Sequence, residues 1–322
     1  MSNYPDKHKI KGKFGQTVWE ETQKERLQKA EYTKLPAKNR KQLWFVPHQH
    51  LIKLISDIES QKGFLSSLQI SSSTLQKLTN SNLEKEAYYS SRIEGAVTSL
   101  EEALLNFTKQ KMTFSDESMQ MISNNKAALQ FMQKSYTEAV SHNLIYHLHE
   151  LLMHNTHRAR PITIGRYRKG PIYVVDGAGR IVYEGPPADQ VKNMMENFIK
   201  WINHDTHLHP LLKAGLAHYY FVYVHPFDDG NGRSARALSN LILDKSEYKF
   251  INFLSPSDYF EHNIADYYRS IRQVESHELD TTYFLMYFLS ALSAQLAQVK
   301  KDFQKEYSVK NLKTLLSGQV YA

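Results

Sequence analysis

Residues 209–224, HPLLKAGLAHYYFVYV, are apolar at nearly every helical position and lead directly into HPFDDGNGRSAR at 225–236. Such a run predicts a buried helix, because a surface helix would carry a polar face. Pro226 stops this helix, and the residues after the glycines have the spacing of a second, amphipathic helix. We therefore predict that two consecutive helices, joined by a short loop that begins at His225, form the centre of the fold.

The loop between these helices contains the residue types of a phosphate-binding site. Gly230 and Gly232 allow successive backbone N–H groups to point into one concavity, and the next helix adds the positive end of its dipole. Arg233 and Arg236 in its first turns can hold phosphate oxygens in a bidentate manner, which favours a polyphosphate over a lone carboxylate. The loop is therefore a candidate polyphosphate site.

Two further side chains bring chemistry to this candidate site. Asp229 offers a hard oxygen of the kind that Mg²⁺ takes when it bridges phosphates. The imidazole of His225 can accept a proton from an attacking hydroxyl near neutral pH. Base, metal ligand and phosphate cradle then occur in the order that a phosphate-centred transfer needs. Taken one at a time, the same residues could form an ordinary Asp-Gly-Asn-Gly turn and a histidine helix cap.

Helical periodicity continues along most of the remaining chain. It is interrupted between Gly170 and Pro187, where GPIYVVDGAGRIVYEGPP places two β-branched and aromatic runs around a turn that starts at Asp176. We therefore predict an all-α fold with one β-hairpin. The predicted helices cover residues 17–31, 47–69, 82–92, 117–140, 143–154, 188–203, 211–224, 233–245, 256–274 and 280–305.

Composition excludes several classes of function. A chain of 322 residues that is 41% hydrophobic can bury a sizeable core. No apolar run reaches the roughly 18 residues of a membrane helix, and the N-terminus lacks the apolar core of a secretory signal, so we expect a cytoplasmic protein with no membrane partner. The absence of cysteine excludes disulfides, thiolate catalysis and cysteine-ligated zinc.

The net charge of +7 is concentrated at one end of the chain. Residues 1–45 contain eleven Lys and Arg and five Asp and Glu, a net charge of +6. A solvated basic arm or helix explains this excess, since the segment lacks the interleaved arginines and aromatic residues of single-strand binders. We therefore do not expect nucleic-acid binding.

Residues 225–236 resemble the signature of the Fic family, HxFx(D/E)GNGRxxR, and match it at every specified position. ITIGRYRKGP at 162–171 is similar to the lead into the family's flap. The resemblance covers about residues 45–290 and implies the all-α Fic-domain helical bundle with a β-hairpin flap. The domains expected from it are an N-terminal helical region at 1–110, a Fic core at 111–290 with its flap at 170–187, and a C-terminal helical tail at 291–322.

The resemblance implies a reaction and a role for each loop residue. His225 would be the general base for a target hydroxyl, Phe227 would anchor the loop in the core, and Asp229 would hold Mg²⁺. The hydroxyl would attack the α phosphorus of ATP, pyrophosphate would leave, and AMP would stay on a Tyr, Thr or Ser of another protein or of the chain itself. Arg236 would hold the γ phosphate. The other nucleotide-binding residues implied are Gly230, Asn231, Gly232, Arg233 and Ser234.

Tyr267 and Tyr268 are similar to a tyrosine pair that borders the adenine in the family. Eight residues after the first of them stands Glu275, where some members carry Asn, so the base that this chain selects stays open. No sequence feature encodes the oligomeric state, and a homodimer is expected from the resemblance alone.

The family's target peptide lies along the flap edge by strand addition. Ile172, Val174, Val182 and Tyr183 lie on the two runs of this hairpin and could offer such an edge to a protein substrate. A hairpin that serves only as a structural cover is the alternative.

A second motif bears on regulation. In YSSRIEGAVTSLEEAL at 89–104, Ser90, Glu94 and Gly95 match (S/T)xxxE(G/N), the inhibitory pattern of the subclass that carries it ahead of the Fic domain. The carboxylate of Glu94 would pair with Arg236, a charge-assisted contact worth about 1.5–3 kcal/mol. Such a contact would reduce the state that binds the γ phosphate by about one to two orders of magnitude. A solvated glutamate in an exposed turn is the alternative.

Five histidines at 142, 147, 149, 154 and 157 crowd one region of the sequence. We predict no metal site there, because no carboxylate stands at a zinc-type spacing, and His149 has the position of an ordinary helix residue.

The sequence thus predicts an autoinhibited, Mg²⁺-dependent protein adenylyltransferase. A transferase with another nucleotide donor, or removal of AMP with Glu94 orienting a water, is the alternative among enzymes. A non-catalytic regulatory module that senses nucleotide is the alternative from another class.

Overall fold

The computed structural model describes residues 4–67, 71–108, 116–156, 162–175 and 177–318, with residues 305–318 described by their backbone alone. Within these residues the chain is mostly helical and carries two antiparallel hairpins. The helices are α1 (Lys7–Phe14), α2 (Gln16–Gln28), α3 (Gln49–Ser66), α4 (Ser72–Ile93), α5 (Leu100–Thr108), α6 (Glu117–Lys134), α7 (His142–Met153), α8 (Ala188–His204), α9 (Pro210–Val224), α10 (Asn231–Lys245), α11 (Pro256–His262), α12 (Ile264–Ser276) and α13 (Thr282–Gly318). The strands are β1 (Glu31–Pro36), β2 (Gln42–Phe45), β3 (Tyr173–Val175) and β4 (Ile181–Glu184).

Helix α9 is the buried centre of the molecule. Twelve of its fifteen residues are buried, because α8, α10 and α13 pack around it. Pro210 stands in its first turn, where a missing N–H costs nothing, and the side chain of His209 accepts the next backbone N–H. A Cβ at Gly215 would lie 2.8 Å from a side-chain carbon of Leu285, so the glycine permits the close approach of α13. The sequence prediction of a buried helix that leads to the loop is confirmed.

Helices α4 and α6 pack against each other beside α10. Side chains cap the start of each helix: Ser71 accepts a backbone N–H of α4, and Asp116 accepts one of α6. Asn125 of α6 is fully buried, and its amide donates to the carbonyl of Ala87 at 3.0 Å. This bond fixes α4, whose C-terminal end reaches the start of α10, against the core.

The N-terminal hairpin of β1 and β2 ties the first 45 residues to the rest of the fold. Its second strand also pairs with a segment just before α13: the N–H of Thr281 donates to the carbonyl of Trp44 at 2.8 Å. The N–H of Trp44 donates in turn to Leu279 at 3.3 Å. The basic N-terminal segment is therefore attached to the core through residues such as Tyr4 and Trp19, while its helix α1 buries no residue and is solvated as predicted.

A buried ion pair stabilises this junction. Arg26 is 4% exposed and donates to the carboxylate of Asp280, which also accepts the Tyr4 hydroxyl at 2.5 Å and the N–H of Thr282 at 2.9 Å. The charge of Asp280 is therefore both paired and hydrogen-bonded, as a buried carboxylate requires. The guanidinium also lies within 5.5 Å of the ring centroids of Tyr4, Trp19, Trp44 and Tyr283.

The structure differs from the sequence prediction in several elements, among them the helices α1 and α5, which were not predicted. The first hairpin was not predicted, because its lysines and Pro36 resemble a solvated arm. The single helix predicted at 256–274 is two helices that meet near Asn263, and α4 begins ten residues before the predicted start at 82. Asp176 of the predicted hairpin turn, and His157, lie outside the described residues. The predicted domain boundaries stay a prediction.

Across the described part of the chain, every helix is too short or too polar to cross a membrane.

The ion pair yields a stability prediction. Asp280→Asn should lower the free energy of unfolding by about 3 to 5 kcal/mol, because it leaves the charge of Arg26 buried without its counter-ion. Asp57→Asn makes the same chemical change in an exposed pair with Lys53 and should cost less than about 1 kcal/mol. Urea unfolding followed by circular dichroism measures both variants. Equal, small losses would contradict a structural role for the buried pair.

Candidate active site

Contacts within the loop after α9 contribute to its conformation. His225 adopts the left-handed region, with φ +50°, and its N–H still donates to Phe221 at 2.9 Å. Asn231 binds the backbone of Phe227 twice, accepting its N–H at 2.9 Å and donating to its carbonyl at 2.8 Å. The side chain of Asn231 therefore closes the loop, and its predicted contact with phosphate would fall to its backbone.

His225 is oriented as a base. Its Nδ1 lies 3.0 Å from the carbonyl of Val222, which can only accept, so Nδ1 carries the proton and Nε2 carries the lone pair. Burial lowers the pKa of His225, and the charge of Arg168 lowers it further, while Glu94 and Asp229 act in the opposite direction. The imidazole is therefore neutral at pH 7 and can accept a proton at Nε2.

His149 of α7 supports the loop by stacking and by hydrogen bonds. It is fully buried and stacks on Phe227 with ring centroids 3.8 Å apart. Its Nδ1 accepts the N–H of Gly165 at 3.0 Å, and its Nε2 donates to the carbonyl of Asp229 at 3.1 Å. Burial lowers the pKa of His149 to about 4, so it joins two loops as a neutral imidazole. This residue is therefore part of the site and not the ordinary helix residue that the sequence suggested.

Glu94 lies at the end of α4 and reaches into the site. It follows Ile93, the last residue of α4, and Gly95 then turns the chain with φ +96°. A Cβ at Gly232 would lie 2.1 Å from Oε1 of Glu94 and 3.1 Å from Nη1 of Arg236. The carboxylate of Glu94 therefore lies over the glycine at the start of α10, in the concavity that the sequence assigns to an anion.

Arg236 is held by four contacts in this concavity. Its Nη2 donates to Oε1 of Glu94 at 2.8 Å and to the carbonyl of Ser90 at 2.8 Å, and its Nε donates to Oγ of Ser90 at 2.8 Å. Nη1 lies 3.5 Å from the hydroxyl of Tyr267. Burial alone would lower the pKa of Arg236, but Glu94 and Tyr267 together more than offset it and the pKa is raised. Ser90 and Glu94, two of the positions that define the predicted inhibitory motif, thus bind one guanidinium.

Other predicted nucleotide-binding residues face inward in this conformation. Arg233 is 1% exposed, and its Nη1 donates to the carbonyl of Leu152 at 3.3 Å. Ser234 is fully buried, and its hydroxyl has no hydrogen-bond partner among the described residues. Gly232 and Arg236 are the predicted residues that border the concavity, whereas a Cβ at Gly230 would face Met153 and His149. The contacts of Arg233 and Ser234 with nucleotide stay predictions.

Asp229 is the candidate metal ligand. Its carboxylate is one-third exposed, accepts the N–H of Gly230 and lies 3.7 Å from Nη2 of Arg233. Within the described ranges, no three His, Asp or Glu side chains converge as a metal site. A single partly exposed carboxylate fits Mg²⁺, which commonly takes one or two carboxylates and completes its shell with phosphate oxygens and water.

The two tyrosines predicted for adenine occupy different environments. Tyr267 is 2% exposed and its ring stacks on Phe260. Its hydroxyl lies 2.9 Å from Nε2 of the buried His218 and 3.5 Å from Nη1 of Arg236, so it supports the arginine. Tyr268 is 38% exposed and donates to the carbonyl of Ile93 at 3.3 Å. Of the pair, Tyr268 has the ring surface that a base could reach, and the adenine role of both stays a prediction.

Sequence reasoning missed three residues of this site. It assigned no role to His149, to His218 or to Arg168, which lies behind His225. A single histidine on an otherwise apolar helix face was the available signal for His149 and His218. The GRYRKGP segment contained Arg168 but gave no indication of its partners.

Known proteins support the identity of this domain. Residues 139–243 match the family model described as the Fic/DOC family. The chain is 28% identical over 223 residues to a protein adenylyltransferase Fic of Nematostella vectensis, and 27% identical over 201 residues to the protein of that name from Drosophila melanogaster. These stretches cover 65% and 60% of this chain but 49% and 39% of the relatives. The chain thus spans half or less of the length of these curated relatives.

Solved structures share the fold. A Fic family protein from Desulfovibrio desulfuricans G20 superimposes with a TM-score of 0.70 at 24% identity, over 80% of this chain and 76% of that one. Fic-1 from C. elegans gives a TM-score of 0.64 at 23% identity, over 80% and 73% of the two chains. The predicted helical fold is confirmed by these neighbours.

The depressed pKa of His149 predicts a pH dependence of stability. The folded pKa is about 4 and the ordinary value is 6.5, so the unfolded chain binds the proton first as the pH falls. The contribution of His149 is therefore complete above pH 6.5 and is lost as the pH falls towards 4. The stability difference between the wild type and His149→Gln should shrink by about 2 kcal/mol between pH 7 and 4.5.

Denaturant unfolding at the two pH values measures this difference. His147→Gln is the matched control, because that side chain is about half exposed on the same helix. A difference for His149→Gln that stays constant with pH would show that the buried imidazole does not titrate in this window.

Proposed function

We propose that this chain, which carries a Fic domain over residues 139–243, is an autoinhibited adenylyltransferase that moves AMP from ATP to a hydroxyl of a protein. One observation carries the proposal: the base and the anion concavity share one site. Glu94 lies over Gly232 and is also close enough to His225 to raise its pKa against the effect of burial. A hydroxyl at Nε2 of His225 would therefore face an anion held at the start of α10.

The proposed reaction assigns one proton and one leaving group. Nε2 of His225 takes the proton of the target hydroxyl while that oxygen attacks the α phosphorus of ATP. The bond between the α phosphorus and the bridging oxygen breaks, and pyrophosphate leaves with the electron pair. Backbone N–H groups at Gly230 to Gly232 and the dipole of α10 bind the inner phosphates, and Arg236 binds the γ phosphate. AMP remains on the target as a phosphodiester.

Mg²⁺ at Asp229 would neutralise phosphate charge when it is bound with ATP. The contacts that hold the loop would supply the positioning of the reacting groups, because this chemistry depends chiefly on positioning and electrostatic stabilisation. Asn231 closes the loop on Phe227, and His149 holds it from the other side, so few loop atoms need to move when nucleotide binds.

Autoinhibition follows from the shared guanidinium. Nη2 of Arg236 bonds Glu94, and a γ phosphate at Arg236 would require that bond to be released. The pair is buried on the arginine side, with side-chain exposures of 2% for Arg236 and 28% for Glu94, so solvent screens it only in part. The resting state therefore favours Glu94 and lowers the population that holds ATP productively.

Protein substrates would pair with the flap hairpin. β3 and β4 form a sheet of two strands, so each strand has an outer edge that the described part of the chain leaves unpaired within the sheet. Tyr173 and Val175 on β3 are 46% and 55% exposed, which is unusual for side chains of this type and suits a partner strand. Backbone pairing there would bring a target side chain to His225.

Labelling with α-labelled ATP and Mg²⁺ tests the function. Wild type should label itself weakly, and Glu94→Gly about ten- to hundredfold more, because the variant removes a charge-assisted contact of about 1.5–3 kcal/mol. The double variant Glu94→Gly with His225→Ala should label nothing. Val97→Gly is the matched control: it makes a similar truncation at a 79% exposed position in the same loop and should behave as wild type.

The same assay separates the alternatives. Transfer from α-labelled but not γ-labelled ATP distinguishes AMP transfer from phosphate transfer, and a comparison of ATP with GTP, CTP and UTP tests the donor. If Glu94→Gly binds ATP yet labels neither itself nor any protein of a cell lysate, the transferase proposal fails. Release of AMP from a prelabelled chain by wild type would instead favour the reverse reaction.

A further inference from the structure

Arg168 lies behind the active-site loop, in the segment between α7 and β3. Arg168 is 2% exposed, and among the residues that the structure describes its guanidinium donates to backbone carbonyls alone. A buried cation without a carboxylate partner is costly unless its N–H groups are satisfied by hydrogen bonds. These hydrogen bonds therefore offset the cost of burying the charge of Arg168, and they show which backbone segments the guanidinium joins.

Three contacts of Arg168 fix the end of α9. Its Nε donates to the carbonyl of His225 at 2.8 Å, its Nη2 lies 3.4 Å from the carbonyl of Val224, and its backbone N–H donates to Pro226 at 2.9 Å. Carbonyls at a helix C-terminus lack partners in the helix and carry partial negative charge. One residue therefore satisfies three successive carbonyls and places a positive charge where the helix dipole favours it.

Two further contacts fix both ends of the flap. Nη1 of Arg168 donates to the carbonyl of Gly170 at 2.7 Å, and Nη2 donates to Pro186 at 2.6 Å. Gly185 lets the chain pass close to the guanidinium, since a Cβ there would lie 3.0 Å from Nη2 and 2.3 Å from a methyl carbon of Ile172. The same planar group thus holds the entry and the exit of the hairpin.

The backbone of His225 needs such an external restraint. A non-glycine residue in the left-handed region is strained by about 1–2 kcal/mol and persists only where its surroundings impose it. The bond to its carbonyl fixes the peptide plane between His225 and Pro226, and hence the direction in which the imidazole leaves the chain. Movement of the flap ends would therefore reach the base through one rigid guanidinium.

We propose that Arg168 is a positioning residue that couples the flap to His225, so that the hairpin which receives the target and the imidazole which receives the proton are held in one arrangement. The inference rests on the proposed role of His225 as general base. It goes beyond that role by assigning the restraint on the base to a residue outside the loop.

Electrostatics supports the same assignment. Burial lowers the pKa of His225, the carbonyl of Val222 and the carboxylates of Glu94 and Asp229 raise it, and Arg168 lowers it. The charged groups that act on the imidazole are Glu94 at the end of α4, Asp229 in the loop and Arg168 in the segment before the flap. Loss of the arginine charge should therefore raise the pKa of His225, whereas a lysine would keep the charge and lose the geometry.

Two variants in the Glu94→Gly background separate geometry from charge. We expect Arg168→Lys and Arg168→Gln each to lower the maximal rate of self-labelling about 10²-fold, because displacement of the base by about 1 Å has that effect. The ATP concentration that gives half-maximal rate should change little, since Arg168 does not border the phosphate concavity. Only Arg168→Gln should move the acid limb of the rate profile to higher pH.

Arg166→Gln is the matched control. It removes the same charge two residues away, from an exposed side chain that donates a hydrogen bond to the carbonyl of its own neighbour Gly165. It should leave rate and pH profile unchanged. A merely structural role for Arg168 would lower the folded fraction but leave the rate per folded molecule and the acid limb in place, and that result would overturn the proposal.

Two readouts do not depend on activity. Hydrogen exchange should quicken at Gly185, whose N–H donates to Ile172 at 3.0 Å across the flap base, and at residues 222–227 in both Arg168 variants. NMR of ¹³C-labelled histidine should show a raised pKa of His225 in Arg168→Gln alone. Unchanged exchange and titration would refute the coupling, even if the Glu94→Gly background labelled nothing and the proposed function had failed. If Arg168→Gln does not fold, the hydrogen exchange and the labelling rate of Arg168→Lys test the proposal, and unchanged values of both would refute it.

Discussion

The guanidinium of Arg236 is the group on which the rest of the site depends. It is buried under α4, where Ser90 and Glu94 satisfy it, and it stands in the first turns of α10, whose N-terminus forms the anion concavity. A buried cation must keep an anionic or hydrogen-bonding partner, because an unpaired one costs several kcal/mol. Replacing the carboxylate at Arg236 by a phosphate therefore costs less free energy than leaving the guanidinium without an anion. This difference favours competition between a carboxylate and a phosphate.

The position of α4 would keep the proposed competition between Glu94 and a γ phosphate local. Glu86 of α4, two turns before the end of the helix, is buried and accepts hydrogen bonds from Ser255 and Ser257 at the start of α11. Burial raises the pKa of Glu86. Together with the bond from Asn125, these contacts fix the body of α4, so Glu94 can leave Arg236 by a change beyond the last helical residue. Displacement of the whole helix would break several buried hydrogen bonds.

Much of the fold was accessible from the sequence, and the exceptions have physical causes. The uninterrupted apolar face of α9 and the stop at Pro226 predicted the central helix and loop, and the hairpin at 170–187 followed from its turn residues. The first hairpin was missed because its stability comes from pairing with residues 279–281, far away in the chain. The local pattern of a lysine-rich segment contains no information about such a partner.

The candidate site likewise contains residues that the sequence predicted and residues that it did not. The loop residues and Glu94 carry local motifs, and the sequence placed them in one pocket. His149 and Arg168 act through backbone atoms of distant residues, and a backbone carbonyl leaves no trace in the sequence. Tyr267 was assigned to a base-binding role because it resembles one of a tyrosine pair in the family, whereas its burial depends on Phe260 and His218.

The central claim is that Glu94 and the γ phosphate compete for Arg236, and calorimetric titration with ATP and ADP tests it most directly. The account predicts that Glu94→Gly binds ATP about ten- to hundredfold more tightly than wild type does, with a clearly smaller gain for ADP, which has no γ phosphate. Equal gains for the two nucleotides, or no gain for ATP, would contradict it.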